Sequence, residues 1–167
     1  MNQQVTTNPP PSRRANPPTT VLLARRLDAH PERVFDAWLD PTKAKKWILG
    51  PSPSDELVRV AIDPRVGGTF SIVVLRDQQE IEHMGSYVEI DRPRRLAFTW
   101  NSVAGHDDSG VRPALGNRGS LVTLDFAPAG AGTELRLTHE GLTEDYALKT
   151  EEGWSKIIQA LANSLAP

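Results

Sequence analysis

The spacing of apolar side chains shifts repeatedly along the chain, and each shift marks a change of element. Residues 1–20 show no apolar period: five prolines (Pro9, Pro10, Pro11, Pro17, Pro18) stand among polar residues, with Val5 the one branched apolar group. Such a stretch buries too little surface to offset the entropy of ordering it, so we expect a disordered, partly polyproline-like tail. An apolar-rich strand follows at Val21–Leu27. Pro31 and Glu32 then suit the first turn of a helix, on which Val34, Phe35 and Trp38 share one face and which Pro41 ends. A second short helix is expected from Thr42 to about Ile48, with Trp47 inward and Lys43, Lys45 and Lys46 on the solvated side.

Six strand-like segments come next, in three pairs. Glu56–Asp63 and Thr69–Arg76 are joined by a turn containing Gly67 and Gly68, which tolerate the positive φ of a tight turn. Glu82–Asp91 and Arg95–Asn101 flank the turn at Arg92–Arg94, and the alternation of Leu96, Phe98 and Trp100 marks one buried face. Ser120–Ala127 and Thr133–Glu140 are set to pair with Val122, Leu124 and Phe126 opposite Leu135, Leu137 and His139. The chain closes with a long helix, Thr143–Leu165, striped by Trp154, Ile157, Ile158, Leu161 and Leu165.

This order predicts an α+β domain over residues 21–167. Its curved seven-stranded antiparallel sheet wraps around the long C-terminal helix, with two short helices between the first two strands. A sheet of seven strands curls, and one helix, about 10 Å wide, is too narrow to fill the concave face. The gap left between them is a place for a small apolar molecule.

Composition narrows the chemistry. The chain has no cysteine, which excludes thiolate catalysis, disulfides and zinc–thiolate sites. Net charge is −2, and Arg13 and Arg14 of the tail leave 17 bases against 21 acids in the rest, a balance that argues against a nucleic-acid binder. No stretch approaches the roughly 20 apolar residues of a membrane span, and the first residues lack a basic, then apolar leader. The expectation is a cytoplasmic protein, monomeric or weakly dimeric, without cofactor or metal.

Several segments resemble one known group: Phe35–Pro41, Lys46–Pro51, Val66–Phe70, Glu89–Trp100, Leu137–Leu142 and Gly153–Trp154. Together they are similar to the AHSA-type branch (activator of the heat-shock-protein-90 ATPase homologue) of the SRPBCC, or START and birch-pollen-allergen-like, superfamily, over about residues 21–165. The resemblance implies the helix-grip fold and a deep cavity that in relatives holds lipids, sterols, polyketides or other apolar molecules. A fold so widely reused does not by itself name an activity.

Strand phase nominates the cavity wall. Phe70, Ile72 and Val74, Met84 with Ser86 and Val88, and Phe98 and Trp100 are expected to face inward, joined by Trp154 and Ile158 of the last helix. His139 is in phase with Leu135 and Leu137, so it is either a hydrogen-bonded core histidine, a ligand-orienting group or a general base. It is the one catalytic candidate, because no nucleophile elbow, phosphate loop or paired carboxylates occur. The glycine-containing connection from Ser102 to Gly119 has the length of a lid, and its His106-Asp107-Asp108 cluster lacks the spacing of a metal site. Three functions follow: binding or transport of a small hydrophobic ligand, an aromatase, cyclase or dehydratase using His139, and activation of a chaperone ATPase. The last is disfavoured, since such activators, by resemblance, carry another folded domain where this chain has a short arm.

Overall fold

A computed structural model describes residues 19–50, 54–105 and 119–166. The expected tail therefore lies almost wholly outside the described residues, as does most of the proposed lid, including His106, Asp107 and Asp108. Strand β1, Thr19–Leu27, begins two residues before the first apolar position. Helix α1, Pro31–Leu39, follows with proline in its first turn and Val34, Phe35, Ala37 and Trp38 buried. Asp40 links α1 to helix α2, Pro41–Ala44, and its carboxylate accepts the Thr42 N–H at 2.9 Å. The second helix is shorter than expected. After Ala44 the backbone bonds tighten to three-residue spacing, with Lys46 N–H to Lys43 O and Trp47 N–H to Ala44 O, both 3.1 Å. This turn buries Trp47, whose Nε1–H donates to Ala37 O at 3.2 Å and pins α2 to α1.

Six more strands, β2 (Asp55–Ile62), β3 (Thr69–Arg76), β4 (Gln79–Asp91), β5 (Arg95–Ala104), β6 (Ser120–Ala129) and β7 (Gly132–Leu142), precede helix α3 (Glu144–Leu165). They form one antiparallel sheet in the order β1-β7-β6-β5-β4-β3-β2, the helix-grip arrangement with α3 across the concave side. The β6–β7 register is the one read from the alternation: Val122 pairs with His139, Leu124 with Leu137 and Phe126 with Leu135. These residues, with Leu27, Phe35, Leu96, Phe98, Trp154, Ile158 and Leu161, make the main core.

Two irregularities in β4 shape the sheet. At Gly85 an added Cβ would lie 1.7 Å from Thr99 O, so only glycine admits so close an approach of β5. The neighbouring Ser86 N–H is taken by the Thr99 hydroxyl at 2.9 Å instead of by the ladder. A register shift then falls between Tyr87 and Glu89. Side chains alternate with a period of two, so one extra residue reverses every inward and outward position before it. Counting back from the inward Ile90 therefore puts Met84, Ser86 and Val88 on the wrong face. Val88 is 54% exposed, whereas Ile81 and Tyr87 are buried.

Candidate functional site

Between α3 and the concave sheet lies a cavity of about 250 Å³. Its apolar wall is made by Ile72 and Val74 of β3, Trp100 of β5, Trp154 and Ile157 of α3, and Ile48 and Leu49 of the turn after α2. Gly153 also lines it, and a Cβ built there would meet nothing within 4 Å. α3 thus presents a bare backbone where a side chain would project into the space.

Polar groups converge on the same cavity. Asp55, at the start of β2, is paired across the ladder with Arg76, at the end of β3. The guanidinium grips the carboxylate in a fork, Nε–H donating to Oδ1 at 2.9 Å and Nη2–H to Oδ2. The Asp55 side chain is 2% exposed and that of Arg76 about half exposed. Both oxygens of the carboxylate are engaged, while among the described residues Arg76 Nη1 has no hydrogen-bond partner. On the next strand pair His83 opposes Ser102, with Nδ1 2.6 Å from the serine Oγ. The His83 ring stacks on Trp100, centroids 5.2 Å apart and planes 22° off parallel. Burial, reinforced by the nearby Arg76 charge, holds the His83 imidazole down at about 4, so it is neutral near pH 7. From α3, Tyr146, Lys149 and Thr150 face the same space at three- and four-residue spacing. Burial raises the Tyr146 phenol, so it stays a hydroxyl.

His139 stands behind this wall, fully buried, and does not line the cavity. Trp154 Nε1–H donates to its Nδ1 at 3.0 Å, and its Nε2 lies 2.8 Å from Ser120 Oγ. Ser120 in turn donates to Trp100 O at 2.8 Å. Since Nδ1 accepts, the proton resides on Nε2, and a neutral imidazole satisfies every member of the chain. Burial lowers its pKa to about 4. The arrangement fixes Trp100 and Trp154, two walls of the cavity, in position. It commits both nitrogens of the residue that sequence alone left open as a base.

The sequence-nominated residues divide among four places. Ile72, Val74, Trp100 and Trp154 line the main cavity. Phe70 and Phe98 line a second, inner one of about 30 Å³ together with Trp38, Ala44, Trp47, Val60, Ile62, Tyr87 and Leu96, and the two cavities share Ile48 and Ile72. Ile158 is buried in the core one position from the lining Ile157. Met84 is a correction: it pairs with Ser71 and Asn101 on the outward phase, because the shift at Val88 hands the inward phase to Ile81, His83 and Tyr87. His83 was missed for the same reason. Ser102 continues the Phe98, Trp100 alternation by one step, beyond the expected end of the strand. Among the described residues no cluster of His, Asp and Glu could hold a metal, and no helix is long and apolar enough to cross a membrane. The arginines of the β4–β5 turn are engaged in ion pairs, Arg92 with Asp36, Arg94 with Asp91 and Arg95 with Asp125.

The family model for "Activator of Hsp90 ATPase homolog 1-like protein" matches residues 28–166. Among solved structures, the chain is similar to the AHSA1 (SPO3351) protein from Silicibacter pomeroyi, with 28% identity and a TM-score of 0.71 over 88% of this chain and 97% of that one. It is similar also to protein CV1439 from Chromobacterium violaceum (27% identity, TM-score 0.69, 89% and 97% covered). The Mll3558 protein from Rhizobium loti matches at 26% identity and a TM-score of 0.72, again over 89% and 97%. No curated protein matches the chain.

Proposed function

The chain belongs to the family of activator of Hsp90 ATPase homolog 1-like proteins, within the SRPBCC superfamily of helix-grip folds, and from that premise we propose that it binds and carries a small amphipathic organic acid in the cavity under α3. The observation that carries this reading is the division of the cavity into an apolar wall of Ile72, Trp100, Trp154 and Ile157 and a polar cluster around Arg76 and His83. Size limits the ligand. An apolar cavity of roughly 150 Å³ holds benzene, so about 250 Å³ suits one or two fused rings with short substituents. It lies below the roughly 300–1,000 Å³ of pockets for drug-sized molecules, too little for a sterol or a long acyl chain.

Charge selects the head group. Asp55 is spent on Arg76, so Lys149 leaves the lining with a net positive charge, and the Tyr146 hydroxyl adds a donor. A carboxylate or phenolate placed there meets Arg76 Nη1 and Lys149, while the ring rests on the two indoles. Turnover draws less support: both nitrogens of His139 are taken, and an imidazole with a pKa of about 4, as in His83, is a weak base. We assign the protein to the cytoplasm, whose reducing conditions leave a chain without cysteine untouched.

Native mass spectrometry of the protein as purified, followed by identification of any released molecule, tests the proposal, with naphthalene-2-carboxylate as a defined probe. Trp100 and Trp154 should report its binding through saturable quenching, and Ile157→Trp should abolish it by filling the cavity. No adduct and no saturable quenching, or quenching that survives Ile157→Trp, would remove the reading.

A further inference from the structure

A buried polar group without a partner costs about 1–3 kcal/mol, and among the described residues the Trp38 Nε1–H is the one such side-chain group. Its indole lines the inner cavity. A water is the first candidate to satisfy it, and about 30 Å³ has room for one. A buried water, however, typically needs about three hydrogen bonds. Besides Trp38, the polar side chains on this wall are Tyr87 and Trp47, and Trp47 Nε1–H already donates to Ala37 O. The rest of the wall is aliphatic or phenyl, the kind of surface that stays dry. The ring of Trp47, 4.6 Å away and edge-on, offers at most a weak π acceptor.

The inner cavity adjoins the larger one: Ile48 and Ile72 line both, and Ile48 sits in the half-buried turn after α2 rather than in a helix or strand. We infer that the two cavities form one binding channel, in which a ligand reaching past Ile48 and Ile72 places an uncharged oxygen acceptor against Trp38 Nε1–H while its acid end stays with Arg76 and Lys149. This rests on the reading of the larger cavity as a ligand site. It turns a general preference for apolar acids into a requirement for two ends: an anion at the mouth and an ether, carbonyl or hydroxyl oxygen at the depth.

Two acids of matching length and heavy-atom count separate these ideas, 6-methoxynaphthalene-2-carboxylate, which has the acceptor, and 6-ethylnaphthalene-2-carboxylate, which lacks it. Calorimetric titration of the unmodified protein should find the methoxy acid bound about three- to tenfold more tightly, the usual net value of one hydrogen bond. In Trp38→Phe that preference should fall to about nothing, whatever change in affinity the smaller ring brings to both acids alike. Nitrogen-15 spectra of the unmodified protein provide a readout that needs no variant: the Trp38 indole N–H signal should move downfield with the methoxy acid alone. Equal affinities with an unmoved Trp38 signal, or a preference that persists in Trp38→Phe, overturn the inference and leave the cavity reading intact. Failure of both acids where naphthalene-2-carboxylate binds overturns the inference alone, and failure of all three removes both readings together.

Discussion

Glycine in a helix interior costs roughly 0.5–1 kcal/mol relative to alanine, and such a position is usually kept because a neighbour comes too close for a side chain. Gly153 has no such neighbour. It stands near the middle of α3, and the position a Cβ would occupy is open for 4 Å. Gly153 is itself part of the cavity lining. Gly153→Ala should therefore stabilise the fold by about 0.5–1 kcal/mol through helix propensity, with no strain to set against it. For a domain of this size that is a rise in the melting temperature of about 1–4 °C. The same methyl group narrows the cavity, and a loss of about one methylene's contact with the ligand corresponds to roughly 0.8 kcal/mol, or about fourfold weaker binding of naphthalene-2-carboxylate. The two effects have opposite signs, which is the diagnostic feature. Thermal unfolding by circular dichroism and calorimetric titration measure them separately. A destabilised variant would mean that Gly153 is demanded by packing, and a stabilised variant with unchanged affinity would mean that the ligand lies elsewhere.

His139→Leu strips the partner from the buried Trp154 N–H and from Ser120, so we expect a loss of about 2–4 kcal/mol in urea unfolding, and a near-neutral result would remove the structural role assigned to it. His139 and His83 also predict a pH dependence. Their folded-state pKa values, about 4 against an ordinary 6.5, are depressed, so the unfolded chain takes up protons first as pH falls. Stability should be full above about pH 6.5 and decline towards pH 4, by roughly 3 kcal/mol for the fully buried His139 alone; a flat urea midpoint across that window would refute it. Asp55→Asn should lower stability by about 1–3 kcal/mol, since the carboxylate it replaces is buried and held in a fork, yet tighten the binding of naphthalene-2-carboxylate, because half-exposed Arg76 is released from its carboxylate. Weaker binding in that variant would place the acid away from Arg76.

Strand and helix order was legible because each element carries its own period, and the β6–β7 pairing was legible to the residue because both strands keep strict alternation over the segment that pairs. The same rule misled at β4, where no composition signal announces the shift at Val88. The site was harder for a different reason. Asp55 meets Arg76, and His83 meets Ser102, through cross-strand neighbours 21 and 19 residues apart. Such pairs exist only once the register and the face of both strands are known, and β4 fails on the second. Ile81 and Tyr87, large apolar residues six apart, mark odd positions as inward along this part of β4, but nothing in the composition shows where the phase changes before Ile90.

His139 and His83 show how the same residue type acquires opposite meanings from its neighbours. Both are held neutral by burial. For His139 the neutral state is fully used, with one nitrogen accepting from Trp154 and the other held by Ser120, so its effect on any ligand passes through the two indoles it aligns. For His83 one nitrogen meets Ser102, and among the described residues Nε2 has no hydrogen-bond partner, while the ring lies against Trp100 in the cavity wall. A neutral imidazole in that position contributes polarity without charge. If the cavity takes an acid as proposed, its charge is met by Arg76 and Lys149 and not by an imidazolium, and lowering the pH from about 7 to 5, still above the value of about 4 at which burial holds both imidazoles, should alter ligand affinity through the ionisation of the ligand and not through either histidine.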